Sequence, residues 1–213
     1  MLAWIPNALT ISRCGFALLV LGAALNAAAS LALLDKATDD EAARLATVIQ
    51  LWHQVALLAF IGGAITDFLD GWIARQLNAT SRFGIWLDPI ADKLLVGFAL
   101  LGLAMTLQTL LIYMPAALII ARDLFMTWLR TRPEAASVIV PSNLAKVKTA
   151  AEMAAIGGLL APPAMAPELV GEALSGKDPA ALAGSAGLLI LLWIAAALSL
   201  YTAAQYVRAV RPK

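Results

Sequence analysis

The chain is 213 residues long, 62% hydrophobic and only 14% charged, whereas a water-soluble domain carries about 45–50% apolar and about 25% charged residues; its natural solvent is lipid. With 15 Lys+Arg against 14 Asp+Glu the formal net charge is +1, which leaves no basic field to hold a nucleic-acid backbone by counterion release. A single cysteine, Cys14, and a single histidine, His53, exclude an internal disulfide and a Cys/His zinc site, so a resident metal has to be a hard cation on oxygen ligands.

Met1 to Ser12 reads as an N-terminal interfacial segment, with Trp4 at headgroup level and Asn7 or Thr10 placed to cap the helix that follows. Apolar stretches long enough to cross a bilayer then lie near residues 13–34, 46–66, 93–109, 110–129, 149–164 and 181–206. This predicts an all-α integral membrane fold of six transmembrane helices in one domain, residues 1–213. Asn26 to Ser30 has the small residues of a signal-peptide cleavage site, but Trp4-Ile5-Pro6-Asn7 stands where a charged leader is expected, which favours a first transmembrane helix. Asp35 to Glu41 and Pro167 to Asp178 are polar and short, hence loops. Cys14 is a small apolar residue of the first helix, and lone His53 belongs to the core or interface of the second. Pro89 falls in the first turns of the third helix, where a missing N–H is tolerated, and Pro162-Pro163 should end the fifth. Gly184, Ala186 and Gly187 offer a close-packing face to a helix of the same chain or of a homodimer partner.

With the N-terminus inside, Arg13, Arg75, Arg82, Lys93, Arg122, Arg130, Arg132, Lys146, Lys148, Arg208, Arg211 and Lys213 are cytoplasmic. Only Lys36, Arg44 and Lys177 are outside, a strong positive-inside bias.

Against this background four acids stand out. An acid costs about 2.5–3.5 kcal/mol at mid-helix and less near the interface, so a cluster of them marks a site. Asp67, Asp70, Asp88 and Asp92 sit where the second helix ends and the third begins, on the cytoplasmic side. At 100° per residue Asp67, Asp70, Gly71 and Ala74 share about 100° of arc, and Gly84, Asp88 and Asp92 drift only about 40° per step, so two carboxylate pairs can face each other. Such a group repels itself unless a cation lies between its members. Oxygen-only ligands suit Mg²⁺ or Mn²⁺, and two such ions bridged by carboxylates would neutralise a diphosphate and support in-line displacement at phosphorus. Gly71, Ala74 and Gly84 would leave room for a bulky ligand. The competing reading pairs the acids with Arg75, Arg82 and Lys93 and gives the small residues to helix packing.

The run Asp67-x2-Asp70-Gly71-x2-Ala74-Arg75-x8-Gly84-x3-Asp88-x3-Asp92 resembles, at each of its eight fixed positions, the signature of the CDP-alcohol phosphotransferase family. The resemblance implies a six-helix membrane enzyme that displaces CMP from a CDP-linked lipid by an alcohol, with two divalent cations and a site at the cytoplasmic face. By the same resemblance Asp67, Asp70, Asp88 and Asp92 look like metal ligands, Asp92 also like the general base, and Gly71, Ala74, Arg75 and Gly84 like the nucleotide-binding surface.

Ile5-Pro6-Asn7-Ala8-Leu9-Thr10-Ile11-Ser12-Arg13, Arg122-Asp123 with Arg130, and Ala145-Lys146-Val147-Lys148-Thr149 are similar to the branch that includes phosphatidylglycerophosphate synthases and cardiolipin synthases. Asp123 stands where that branch usually has Glu, and Ala145 where it has Gly. This implies CDP-diacylglycerol as donor and glycerol 3-phosphate as acceptor, with phosphatidylglycerol as the alternative. Arg122, Lys146 and Lys148 make an anion pocket for the acceptor phosphate, the lysines lying near a helix N-terminus; the competing reading has them snorkel to headgroups. Asp123 would orient a basic partner. Two other classes use intramembrane acids. A membrane prenyltransferase would need no alcohol base, and a cation transporter would carry its acids at the bilayer midplane in broken helices.

Overall fold

The structure, a computed structural model, describes residues 4–34, 36–77, 82–130, 143–165 and 179–210. The described residues form six helices: α1 (Trp4–Leu34), α2 (Asp39–Leu77), α3 (Arg82–Leu107), α4 (Leu110–Arg130), α5 (Asn143–Met165) and α6 (Pro179–Val210). Five of them, all but α5, are long and apolar enough to cross a membrane. Helix α5 carries Lys146, Lys148 and Glu152 in its first half. The chain is thus an all-α, multi-pass membrane protein, as its composition requires.

Several boundaries differ from the expectation in a common direction, because apolar runs mark the part of a helix inside hydrocarbon and not its continuation into the aqueous rim. Helix α1 starts at Trp4, so Asn7 and Thr10 lie within it and not at its start. Helix α2 starts at Asp39 and runs unbroken to Leu77. At its entry the Thr38 amide and hydroxyl both donate to the Glu41 carboxylate, at 3.0 and 2.9 Å, the side-chain-to-amide half of a capping box. Helix α3 begins at Arg82, eleven residues before the expected 93, and Pro89 is its eighth residue. Helix α5 does not end at Pro162-Pro163 but continues to Met165. The prolines sit in its last turns, where few further bonds are lost, and the Ala164 carbonyl accepts from the Gln54 side chain of α2 at 3.1 Å.

A left-handed Gln108 (φ 44°) turns α3 sharply into α4. Its amide donates to the Ala104 carbonyl at 3.2 Å, an αL helix end. Helices α1, α2 and α3 pack closely, and the core centres on α3 through Leu95, Val96, Ala99, Leu100 and Leu103, joined by Phe60, Ile119, Ile156 and Leu192 from four other helices. Large apolar side chains such as Leu58, Phe68, Leu110 and Leu124 point outward, as helices facing lipid on one side and protein on the other require.

Without a hydrophobic drive between lipid-solvated helices, close approach through small residues has to supply the contact. At the α1/α3 crossing a Cβ added to Gly102 would stand 2.7 Å from the Cβ of Ala24. Alanine has no rotamer with which to yield, so the helices themselves would have to separate. Gly102→Ala is therefore expected to destabilise the protein by about 1–3 kcal/mol, the usual cost of overpacking, read as a lower thermal midpoint in detergent; Gly97→Ala, facing open space, should leave it unchanged.

Candidate active site

Successive helices run in alternating directions, which brings the starts of α1, α3 and α5 and the ends of α2, α4 and α6 to one end of the bundle. There they enclose a cavity of about 340 Å³, lined on one side by Asp67, Asp88 and Asp92 and on the other by Arg122, Asp123, Lys148 and Glu152. Arg13, Lys93, Thr149 and Tyr206 complete its polar wall.

The carboxylates are held mainly from α1. Arg13 is 1% exposed; its Nη1 lies 2.9 Å from Asp67 Oδ1 and its Nη2 donates to Asp70 Oδ2. Thr10, one helical turn before Arg13, donates its hydroxyl to Asp88 Oδ1. One face of α1 thus engages three of the four acids. The fourth, Asp92, has a buried Oδ1 with no hydrogen-bond partner among the described residues. Lys93, one of the three cations of the competing reading, donates its ammonium to the Asp123 carbonyl at 3.2 Å and to Thr127, and the cation beside Asp67 and Asp70 is Arg13. Arg75 and Arg82, with Ala74 and Gly84, have side chains outside the described residues. Gly71 follows Asp70 on α2.

On the opposite wall Arg122 is fixed by three bonds, from Nε to the Ser199 carbonyl at 3.0 Å, from Nη2 to Thr202 Oγ1 at 3.0 Å and from Nη1 to Asp123 Oδ1 at 2.8 Å. Two of its five N–H groups stay available. Lys148, 5% exposed, lies 3.6 Å from Asp123 and 2.9 Å from Glu152. Asp123 therefore orients two basic partners, as expected of it. Lys146 is exposed and does not line the cavity. His53 is buried elsewhere in α2, its Nδ1 2.9 Å from the Ile49 carbonyl, and Cys14 is half-buried in α1.

Could this donor set hold hard divalent cations? Among the described residues no three carboxylates are drawn tightly enough together to enclose an ion; Arg13 and Thr10 engage three of them instead. The chemistry nevertheless fits, because Asp67, Asp88 and Asp92 supply only oxygen donors to one cavity and Asp92 presents an unsatisfied buried oxygen.

Sequence reasoning missed Thr10, Arg13 and Glu152 as site residues. The Lys148/Glu152 spacing of four was a readable signal. Thr10 and Arg13 lie in the Ile5 to Arg13 segment that resembles the family branch, but nothing local pointed to their partners, 78 and 57 residues away.

Residues 3–205 match the CDP-alcohol phosphatidyltransferase family. Proteins named CDP-diacylglycerol–glycerol-3-phosphate 3-phosphatidyltransferase are similar along most of the chain. That of Shigella flexneri serotype 5b (strain 8401) is 36% identical over 160 residues, covering 73% of this chain and 78% of the relative. That of Salmonella typhimurium (strain LT2) is 35% identical over 161 residues, covering 74% and 79%, and that of Escherichia coli (strain K12) is 35% identical over 160 residues, covering 73% and 78%. With the acid quartet at the mouth of a six-helix membrane bundle and similarity of this extent, the chain belongs to the CDP-alcohol phosphatidyltransferase family.

Proposed function

We propose that the chain transfers the phosphatidyl group of CDP-diacylglycerol to glycerol 3-phosphate, forming phosphatidylglycerophosphate and releasing CMP, as a single domain in phospholipid biosynthesis. The observation that carries this reading is the division of one cavity into a carboxylate wall on α2 and α3 and, on α4 and α5, a wall where Arg122 and Lys148 stand beside Asp123 and Glu152. It suits a diphosphate on one side and a phosphorylated acceptor on the other. The relatives' shared name supplies the donor and the acceptor.

The family is in general dependent on divalent metal; here Asp67, Asp70, Asp88 and Asp92 would hold two ions, Mg²⁺ or Mn²⁺, which when bound neutralise the diphosphate and the departing CMP. Gly71, Ala74, Arg75 and Gly84 form the nucleotide surface. Arg122 and Lys148 bind the acceptor phosphate through charge-assisted hydrogen bonds. That leaves the acceptor's free hydroxyl directed at Asp92, whose carboxylate takes its proton. The alcohol oxygen bonds to the phosphorus that carries the diacylglycerol, the bond from that phosphorus to the CMP oxygen breaks, and CMP leaves. The Lys/Arg asymmetry of the loops supports a cytoplasmic orientation for this end of the bundle, and the membrane is taken to be the inner one.

Purified protein with Mg²⁺ or Mn²⁺ and CDP-diacylglycerol is expected to release CMP with glycerol 3-phosphate, and not with phosphatidylglycerol, inositol phosphate or serine. Release with phosphatidylglycerol alone would make the chain a cardiolipin synthase. Absence of CMP with every acceptor would remove the enzymatic reading.

A further inference from the structure

Glu152 is a buried acid that the transfer reaction does not use. It is 2% exposed, yet it faces the cavity, and its Oε1 lies 2.9 Å from the ammonium of Lys148, one turn earlier on α5. A cation followed by an anion at a spacing of four is the weaker orientation on a helix, so local helix energetics do not account for the pair. Placing an ammonium and a carboxylate in a nearly dry site is costly unless each is compensated. Arg122 and Lys148 face Asp123 and Glu152, two cations against two anions, and the wall is balanced before any acceptor arrives.

The two cations are not held alike. Arg122 is anchored on α6 by Ser199 and Thr202 and keeps its place whatever Lys148 does. Among the described residues Lys148 is held by carboxylates alone, closely by Glu152 and more loosely by Asp123 at 3.6 Å. An ammonium on a four-carbon stem is a mobile point charge. Without Glu152 it would swing towards Asp123, which already serves Arg122, and leave the cavity wall.

We infer that Glu152 is a positioning residue for the acceptor: it pins the Lys148 ammonium at the cavity wall, with a remaining N–H presented to the acceptor phosphate. The inference rests on the reading of Lys148 as an acceptor-phosphate ligand. It makes Glu152 a determinant of acceptor affinity and not of donor affinity.

The test is steady-state CMP release by the full-length protein in detergent, with glycerol 3-phosphate and CDP-diacylglycerol varied in turn. Glu152→Gln is expected to raise KM for glycerol 3-phosphate about tenfold, the weight of one charge-assisted hydrogen bond, with KM for CDP-diacylglycerol unchanged and kcat changed less than KM. Glu152→Asp, which keeps the charge one methylene short, should recover part of the loss. Lys148→Gln should raise the same KM, and the double variant should be no worse than Lys148→Gln alone, since the two residues act as one unit. An unchanged or lowered acceptor KM in Glu152→Gln, additive effects in the double variant, or equal rises in both KM values would each overturn the inference. If Glu152→Gln does not purify folded, Glu152→Asp carries the same KM split, and a loss of thermal stability in it without that split overturns the inference equally. Should Lys148→Gln leave the acceptor KM untouched, the acceptor-pocket reading itself fails; should Lys148→Gln raise it while Glu152→Gln does not, only the role of Glu152 falls.

Discussion

Asp92→Asn is expected to lower kcat for CMP release by about 10²–10⁴, the range over which a positioned base contributes to proton transfer, while CDP-diacylglycerol still binds. The amide preserves the size of the side chain. Because Asp92 Oδ1 is buried with no hydrogen-bond partner among the described residues, the substitution breaks no bond seen at that oxygen and removes a charge from a place where charge is costly. The fold should therefore persist or gain stability even as turnover is lost. CMP release gives kcat, and the rise in thermal midpoint on adding CDP-diacylglycerol reports donor binding. Turnover close to wild type would take Asp92 out of the base role; loss of donor binding in parallel with turnover would assign it to the diphosphate side alone.

Removing Arg13 should have the second largest effect, on stability before activity. Its guanidinium is buried between Asp67 and Asp70, and Asp70 is itself only 8% exposed. Taking away one partner of a buried ion pair costs about 3–5 kcal/mol, because the remaining charge is left uncompensated. For a chain of this length Arg13→Ala is expected to lower the thermal midpoint by about 10 °C in EDTA. Mg²⁺ should restore much of that loss, since a divalent cation binding the freed carboxylates stabilises the folded state by mass action. Arg13→Lys should fall between, its ammonium lacking the fork that reaches two carboxylates at once. Equal midpoints for Arg13→Ala and wild type in EDTA would show that the bridge contributes nothing; a deficit that Mg²⁺ leaves untouched would place Arg13 in packing and not in the carboxylate cluster.

These two predictions draw on different kinds of information. Asp92 belongs to a pattern written along the chain: acids at intervals of three and four on two consecutive helix ends, where lipid makes each acid expensive. Arg13 carries no such mark. In the sequence it is one of many cytoplasmic cations, and its role appears only when α1 is laid across α2 and α3. Glu152 was half legible, through its spacing from Lys148, but the spacing alone does not distinguish a solvated surface pair from one sealed in a cavity. The extent of the helices was also only partly legible. Hydropathy reports the segment inside hydrocarbon, and so placed the start of α3 at 93 and the end of α2 at 66, whereas the helices themselves carry all four aspartates out to Leu77 and back from Arg82.

By itself the sequence determined the membrane class, the helical architecture and the acid quartet, because transfer free energies and the 3.6-residue period act on neighbouring residues and leave their mark within a few turns. The tertiary structure alone decided which cation answers which acid, that Thr10 meets Asp88, that Lys146 stays outside the cavity and that Glu152 stands beside Lys148 within it. The physical reason is that helices apolar on nearly every face have little amphipathic pattern to say which side meets a neighbour. Their azimuth and register are set by packing between residues far apart in the chain, down to single small side chains such as Gly102 against Ala24.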